Sequence, residues 1–282
     1  LVSPRKKNTP DPRFNLIFTN NQSFTLSSVV SPIASLYSEP RARISKDTEL
    51  LFGHNFKIYE IKNGFAYGQA AAINENSTCP GYVGFIPKND LGTFTTQANY
   101  IVTALRAPVF DDANIKSLIN KTLPMGSLIY SGHILDDFIR TERDDYIHRA
   151  HVMKISDTPK VSDFTSVAEK HLGLPYIWGG ISTVGLDCSG LVLSSLRAVG
   201  SDSPRDTDMM EKKLGSFLPI QKNNFSRGDL VFWKGHVGIM VSNTDIIHAN
   251  AFYMSVTIEP LSVVIDRSLE RGGGAITSVK RL

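Results

Sequence analysis

Apolar and polar positions alternate in short runs over the first half of the chain, and the runs then lengthen. KIYEI and FAYGQA alternate at a period of two, with Asn63-Gly64 between them, a strong hairpin signal. SPIASLYSEPR, ELLFG and GYVGFIPKNDL are further strand-sized pieces set apart by Gly, Asn, Pro and Lys. Five or so short strands between Ser31 and about Leu91 predict a small barrel. The texture recurs from about Tyr100 to Ile155. YIVTALRAPVF parallels SPIASLYSEPR, TLPMGSLIYSGH parallels DTELLFGHNFKIY, and DYIHRAHVMKI parallels GYVGFIPKNDL. A period near 65 residues, with the order of features kept, predicts two tandem copies of one module over 31–95 and 96–157. Residues 1–30 are polar and rich in Pro and Asn, and read as an arm that wraps or trails.

After Pro159 the spacing becomes helical. Phe164, Val167, Ala168, His171 and Leu172 share a face, with Ser162 as the expected cap and Gly173 and Pro175 as the stop. A second helix follows in DCSGLVLSSLRAVG, its apolar face formed by Leu191, Val192, Leu196 and Val199. SDSPRDTDMMEKKLG reads as a polar loop. DLVFW, HVGIMV, DIIHAN and SVTIEP then read as strands, LSVVIDRSLER as a short helix and AITSVKRL as a last strand. Helices first and an antiparallel meander afterwards is an α+β pattern, over 158–282. The expected fold class is therefore multidomain: two small all-β barrels followed by an α+β domain.

Composition narrows the function only a little. Hydrophobic residues make up 41% and charged residues 20%, as in ordinary globular proteins. A net charge of +3 is too weak to imply a nucleic-acid partner. No run approaches the roughly 18 apolar residues of a membrane span. The first residues show no secretory signal, although a chain that begins with Leu leaves room for one already removed. The cytoplasm is the slightly favoured setting, with the periplasm as its alternative. Two cysteines, Cys79 and Cys188, make no disulfide framework.

Cys188 stands where the Gly-rich loop LPYIWGGISTVGLD turns into a helix. Unpaired N–H groups at a helix start favour thiolate over thiol and offer donors to an oxyanion. A cysteine nucleophile also needs a base and a residue that orients it. His236 in WKGHVGIMV and His248 in DIIHAN supply candidates on adjacent strands. A three-residue loop, Ser242 to Thr244, would put His236 opposite Asn250, with His248 as its diagonal neighbour on the same face. Loops of two or four residues would separate the histidines, so Asn250 stays a rival for the orienting role. Zinc would need three or four ligands at suitable spacing. Cys188, His236 and His248 by themselves could hold a metal, but the chain has no C-x-x-C or H-E-x-x-H, and no cofactor is implied.

LPYIWGG, DCSGL, RGDLVFW, GHVGI and IIHA, in this order, resemble the NlpC/P60 family of cysteine peptidases. The resemblance covers residues 159 to 282 and implies a papain-like α+β domain. It implies Cys188 as nucleophile, His236 as base, His248 as third polar residue and Tyr176 near the oxyanion. The two repeats resemble bacterial SH3-like domains. The combination is similar to γ-D-glutamyl-L-diamino acid endopeptidases, which cut murein peptides with a free N-terminal L-Ala. In that subgroup the first module closes over the cleft and recognises the free amine. The resemblance implies Asp206, Tyr82 and Asp47 there, Asp47 standing where the subgroup has Glu, and Trp178, Asp187 and Ser189 beside them in the cleft. The second copy reads as a spacer. A bridge between Cys79 and Cys188 would block this chemistry, so Cys188 is expected to be a free thiol. Two other readings use the same fold: a wall-peptide binding protein without catalysis, and acyl transfer to another acceptor such as a lipid.

Overall fold

The structure is a computed structural model that describes residues 11, 13–14, 23–41, 44–71, 79, 81–157, 163–220 and 225–282. The alternating segments of the first half form two small β modules, and the last part forms an α+β domain. In the first module the strands Asn55–Lys62 and Phe65–Ala70 pair across Asn63 and Gly64, both at positive φ (52° and 78°), as the Asn-Gly signal requires. They lie in a five-stranded sheet whose other members are Val83–Pro87, Thr25–Val29 and Leu91–Gly92, while Ile33–Leu36 pairs separately with Thr48–Leu51. Val29, Leu36, Phe56 and Ile86 fill the space between.

The second module repeats these pairings. Tyr100–Val102 pairs with Leu128–Ile129 and Val152–Lys154, as Thr25–Val29 pairs with Asn55–Lys62 and Leu91–Gly92. Arg106–Phe110 pairs with Ile119–Pro124, as Ile33–Leu36 does with Thr48–Leu51. A single 3-10 turn, Arg149–His151 in one copy and Lys88–Asp90 in the other, precedes the closing strand. The repeat therefore starts earlier than expected: Thr25–Val29 lies in the presumed arm yet is an integral strand. Its polar TLSS start hides it in the sequence, because Ser27 and Ser28 are buried through hydrogen bonds to the Gly92 carbonyl and to Asn55 and not through apolar character.

In the last domain six antiparallel strands lie in the order Ser216–Leu218, Ser278–Arg281, Leu230–Trp233, His236–Met240, Asp245–Asn250, Ser255–Pro260. The final strand thus inserts beside Leu230–Trp233 instead of extending a meander. Both faces of the sheet are covered, which is why LVFW and HVGIM are nearly continuous apolar runs. The helix Cys188–Ala198 packs with Phe232, Val237 and Ile247 on one face, and the helix Leu261–Glu270 packs with Val231, Met240 and Val279 on the other.

Leu193 and Ser195 are as buried as the expected face of the Cys188 helix, since Ile181–Ser182 and the first module cover its far side. Asp163 accepts from the N–H groups of Thr165 and Ser166 and so caps the first helix, Thr165–Glu169, while the expected cap, Ser162, lies outside the described residues. The polar loop after Gly200 contains a helix, Thr207–Lys213, which buries Met210 completely. The surrounding charges concealed that one apolar anchor.

Candidate active site

Cys188 opens its helix one residue after Asp187, whose carboxylate caps it by accepting the Gly190 N–H at 2.7 Å. The thiol is almost fully buried. It lies 3.8 Å from the Thr207 hydroxyl and 4.0 Å from the Gly235 carbonyl, and the Val237 N–H also reaches it. The backbone on both sides of His236 thus touches the sulfur. Burial, and next the Asp187 charge, push the thiol up to about 11, although Thr207 and nearby N–H groups pull the other way. This corrects the expectation that the helix end lowers the thiol: burial in a low-dielectric environment outweighs the partial charge of a helix terminus. No disulfide joins Cys79 to Cys188.

The hairpin adopts the three-residue register, with Met240 opposite Ile246 and Ile239 opposite Ile247. His236 and His248 consequently share a face, and His236 Nε2 lies 2.8 Å from His248 Nδ1. Asn250 turns away, donating to Thr257 and accepting from the Tyr253 N–H. The chain of contacts continues to Glu259, which the sequence reading missed. His248 Nε2 lies 2.8 Å from Glu259 Oε1, and Arg267 grips both oxygens of that carboxylate.

Burial by itself would raise Glu259, but the bonds from His248 and Arg267 bring it down to about 2, so it is an anion that only accepts. His248 Nε2 must then donate. With His236 donating from Nε2–H to His248 Nδ1, the Nδ1 of His236 keeps its lone pair. Burial, with the neighbouring His248 and Arg267, holds His236 down to about 3, so its imidazole is neutral near pH 7. The signal for Glu259 was present in SVTIEP, where Glu259 and Thr257 alternate onto one face, but its partner depends on the pairing of Ile246 with Glu259 and His248 with Thr257.

Tyr176 is held along the same hairpin by its N–H to the Met254 carbonyl. Burial, and then the charges of Cys188 and Asp187, raise its phenol, which places the ring within electrostatic reach of the thiol. Trp178 stands exposed. Gly179 adopts φ 73°, and a Cβ there would come within 2.9 Å of both the Lys46 side chain and the Lys46 carbonyl. The first module approaches the loop at this point, where only glycine fits.

Asp187 and Ser189 do not face the cleft. Asp187 accepts from Gly179, Gly190, Ser189 and Arg205, and Arg205 also donates to Ser189 and to Thr48 of the first module. Both residues are buried, and the Asp187 carboxylate, with both oxygens engaged, serves as a structural anchor. Glu49 is a second anchor, accepting from the Ile181 N–H at 3.0 Å and pairing with Lys46.

The candidate gate residues do come together. The Tyr82 hydroxyl donates to Asp206, and Asp206 immediately precedes Thr207, which touches the thiol. Asp47 is exposed; burial of its carboxyl and the charge of Asp206 raise it, so the two carboxylates lie near each other.

Fold and site define an α+β cysteine peptidase. A model of the NlpC/P60 family matches residues 173–267, so the last domain carries the NlpC/P60 peptidase unit. Dipeptidyl-peptidase 6 of Lysinibacillus sphaericus is 23% identical over 265 residues, 83% of this chain and 90% of that protein. The γ-D-glutamyl-L-lysine dipeptidyl-peptidase of Bacillus subtilis is 38% identical over 102 residues, a third of each chain (33%). A crystal structure of an NlpC/P60 family protein from Bacillus cereus superposes over 91% of this chain and 99% of that one, with a TM-score of 0.75 and 19% identity, and so shares the fold. Among the described residues no helix is long and apolar enough to cross a membrane.

Proposed function

We propose that this protein is an endopeptidase that cuts the bond between D-glutamate, through its γ-carboxyl, and a diamino acid in murein peptides with a free N-terminal L-Ala. One observation carries the reading: Tyr82 of the first β module meets Asp206 next to the residue that touches the Cys188 thiol. A free α-amine is a cation, and Asp206 with Asp47 would attract it. A muramyl-blocked N-terminus has no such charge and is bulkier. Two relatives named γ-D-glutamyl-L-lysine dipeptidyl-peptidase favour the same bond. The two β modules are read as SH3-like domains, the first extended to include Thr25–Val29 and closing on the cleft, the second a spacer. Preference for freed peptides suits turnover of wall fragments.

In this mechanism His236 Nδ1 takes the Cys188 proton as sulfur attacks the γ-carbonyl carbon. The oxyanion is met by the Cys188 N–H, which has no acceptor within its helix, and by the Tyr176 hydroxyl. His236 returns the proton to the leaving amine as the C–N bond breaks, leaving a thioester. Water then attacks, gives its proton to His236, and the dipeptide of L-Ala and D-Glu departs with a free γ-carboxylate while the proton returns to sulfur and restores the thiol. His248, oriented by Glu259, holds His236 in the tautomer whose Nδ1 is bare. With thiol and imidazole both neutral at rest, the base works during attack and not before it.

Incubation with L-Ala-γ-D-Glu-meso-diaminopimelate, and with its L-Lys counterpart, should release L-Ala-γ-D-Glu, read by mass spectrometry. The N-acetylated peptide should survive. Equal cleavage of the acetylated form would defeat the amine gate, and no cleavage of any free tripeptide would defeat the whole reading.

A further inference from the structure

Arg13 lies in the N-terminal arm, far from the cleft in sequence, yet its guanidinium reaches the gate. One Nη1 bond goes to Asp206 Oδ2, the same oxygen that receives the Tyr82 hydroxyl. The remaining donors go to both oxygens of Asp208 and both oxygens of Asp11. Side-chain contacts are not the only tie. The Val83 N–H donates to the Arg13 carbonyl at 2.8 Å, and Phe14 packs edge-on against Tyr82 at 5.4 Å. Arg13 and Phe14 therefore lie on the first module at the residue next to Tyr82, and Arg13 is fastened to the helix Thr207–Lys213 of the peptidase domain.

The distribution of acceptors matters. Both bonds to Asp206 fall on Oδ2, while Asp206 Oδ1 and the Asp47 carboxylate accept no hydrogen bond from any described residue. Arg13 counts one positive charge against Asp11, Asp47, Asp206 and Asp208, so the cluster stays net negative. A guanidinium so arranged turns the Asp206 carboxylate, consuming one oxygen and leaving the other for a cation. It also relieves the repulsion between the Asp206 and Asp208 charges, which would otherwise drive the carboxylates apart.

We infer that Arg13 is a specificity-determining positioning residue: it fixes Asp206 so that the free oxygen, with Asp47, receives the substrate's α-ammonium. The inference rests on the reading of Asp206 as the amine site and adds a third segment of the chain to that site. Arg13 acts through Asp206 and is not itself expected to touch the reacting atoms.

The test compares steady-state kinetics of the full chain and its Arg13→Ala, Arg13→Lys and Asp208→Asn variants on L-Ala-γ-D-Glu-meso-diaminopimelate. Loss of a charge-assisted contact predicts a KM about tenfold higher for Arg13→Ala with kcat kept. Arg13→Lys should recover part of the loss, since it keeps the charge without the planar fork. Asp208→Asn, which loosens Arg13 without touching Asp206, should shift KM in the same direction by less. An unchanged KM in Arg13→Ala overturns the inference. A lower KM overturns it too, because Arg13 would then compete with the amine. A fall in kcat that tracks a fall in melting temperature would reduce Arg13 to a structural role. Wild-type protein that fails to cut the tripeptide takes down the underlying reading instead, a result visible before any variant is made.

Discussion

Cys188, His236, His248 and Glu259 lie within one domain and are largely buried, the last three linked by 2.8 Å contacts across a single sheet and the thiol set against the Gly235 carbonyl beside His236. Tyr82, Asp47, Asp206 and Arg13 come from three segments, and all but the buried Tyr82 stay in partial contact with water. The first group needs a dry, fixed setting because its task is to move one proton between defined atoms. The second group needs to admit and release a hydrated cation, so its charges remain partly exposed and are assembled across a module boundary. The difference suggests that chemistry and selectivity can be disturbed separately in this protein.

Cys188→Ala tests the chemical half most severely: release of L-Ala-γ-D-Glu should be lost altogether, while binding of the free tripeptide, read by calorimetry, should persist. Residual turnover would mean that sulfur is not the nucleophile. Glu259→Ala should come next, lowering kcat about 10²-fold, the lower range for general acid–base contributions, with KM little changed. Without the carboxylate, His248 is free to present the wrong tautomer to His236. An equal fall in binding and turnover would place Glu259 in the substrate pocket instead.

On the selective half, Asp206→Asn should raise KM about tenfold for the free-amine peptide and leave the N-acetylated peptide as poor as before. If kcat drops instead, the two halves are coupled more tightly than their geometry indicates.

The buried histidine gives the chemical half a pH signature. His236 is held down to about 3 when folded and has an ordinary value of 6.5, so above that pH neither state binds its proton. As pH falls from about 6.5 toward 3, the unfolded chain takes up a proton that the folded one refuses, and stability declines. Glu259, with its ordinary value of 4.5 depressed to about 2, adds a loss in the same direction below about pH 4.5. Melting temperature measured against pH should therefore fall from 6.5 downward in the wild type. In His236→Gln the fall should be shallower and not absent, because His54, held down to about 3 by burial, and His171 and His151, also lowered by burial, refuse a proton over the same range. A flat wild-type profile down to pH 4.5 would show that His236 is not buried neutral.

The smallest effect is expected in the second module, whose described bonds to the peptidase domain include Arg106 to the Thr183 carbonyl and the Thr183 hydroxyl to the Leu105 carbonyl. Arg106→Ala should cost about 1 kcal/mol or less of stability and leave both kinetic constants unchanged. A kinetic effect there would end its reading as a spacer.

Much of this was legible from short-range pattern. Asn63-Gly64 announced its hairpin because only a few residues accept positive φ. The repeat was visible as alternation, and the cysteine at a helix start and the two histidines on adjacent strands could be picked out from residue spacing, with their register left open. The sequence alone determined which chemistry was available, since no other cysteine sits at a loop-to-helix junction with histidines following on strands.

Only the tertiary structure decided how those parts meet. The three-residue hairpin register placed His236 and His248 on one face, and the opposite strand delivered Glu259 to His248. Burial reversed the expected effect of the helix end on Cys188, because desolvation depends on everything packed around the thiol and not on its neighbours in sequence. Asp187 and Ser189 were withdrawn from the cleft by Arg205, and Arg13 was brought into it over 193 residues of intervening separation from Asp206. Periodicity records the contacts a residue makes with its own element; contacts between elements and modules depend on packing that no local window contains.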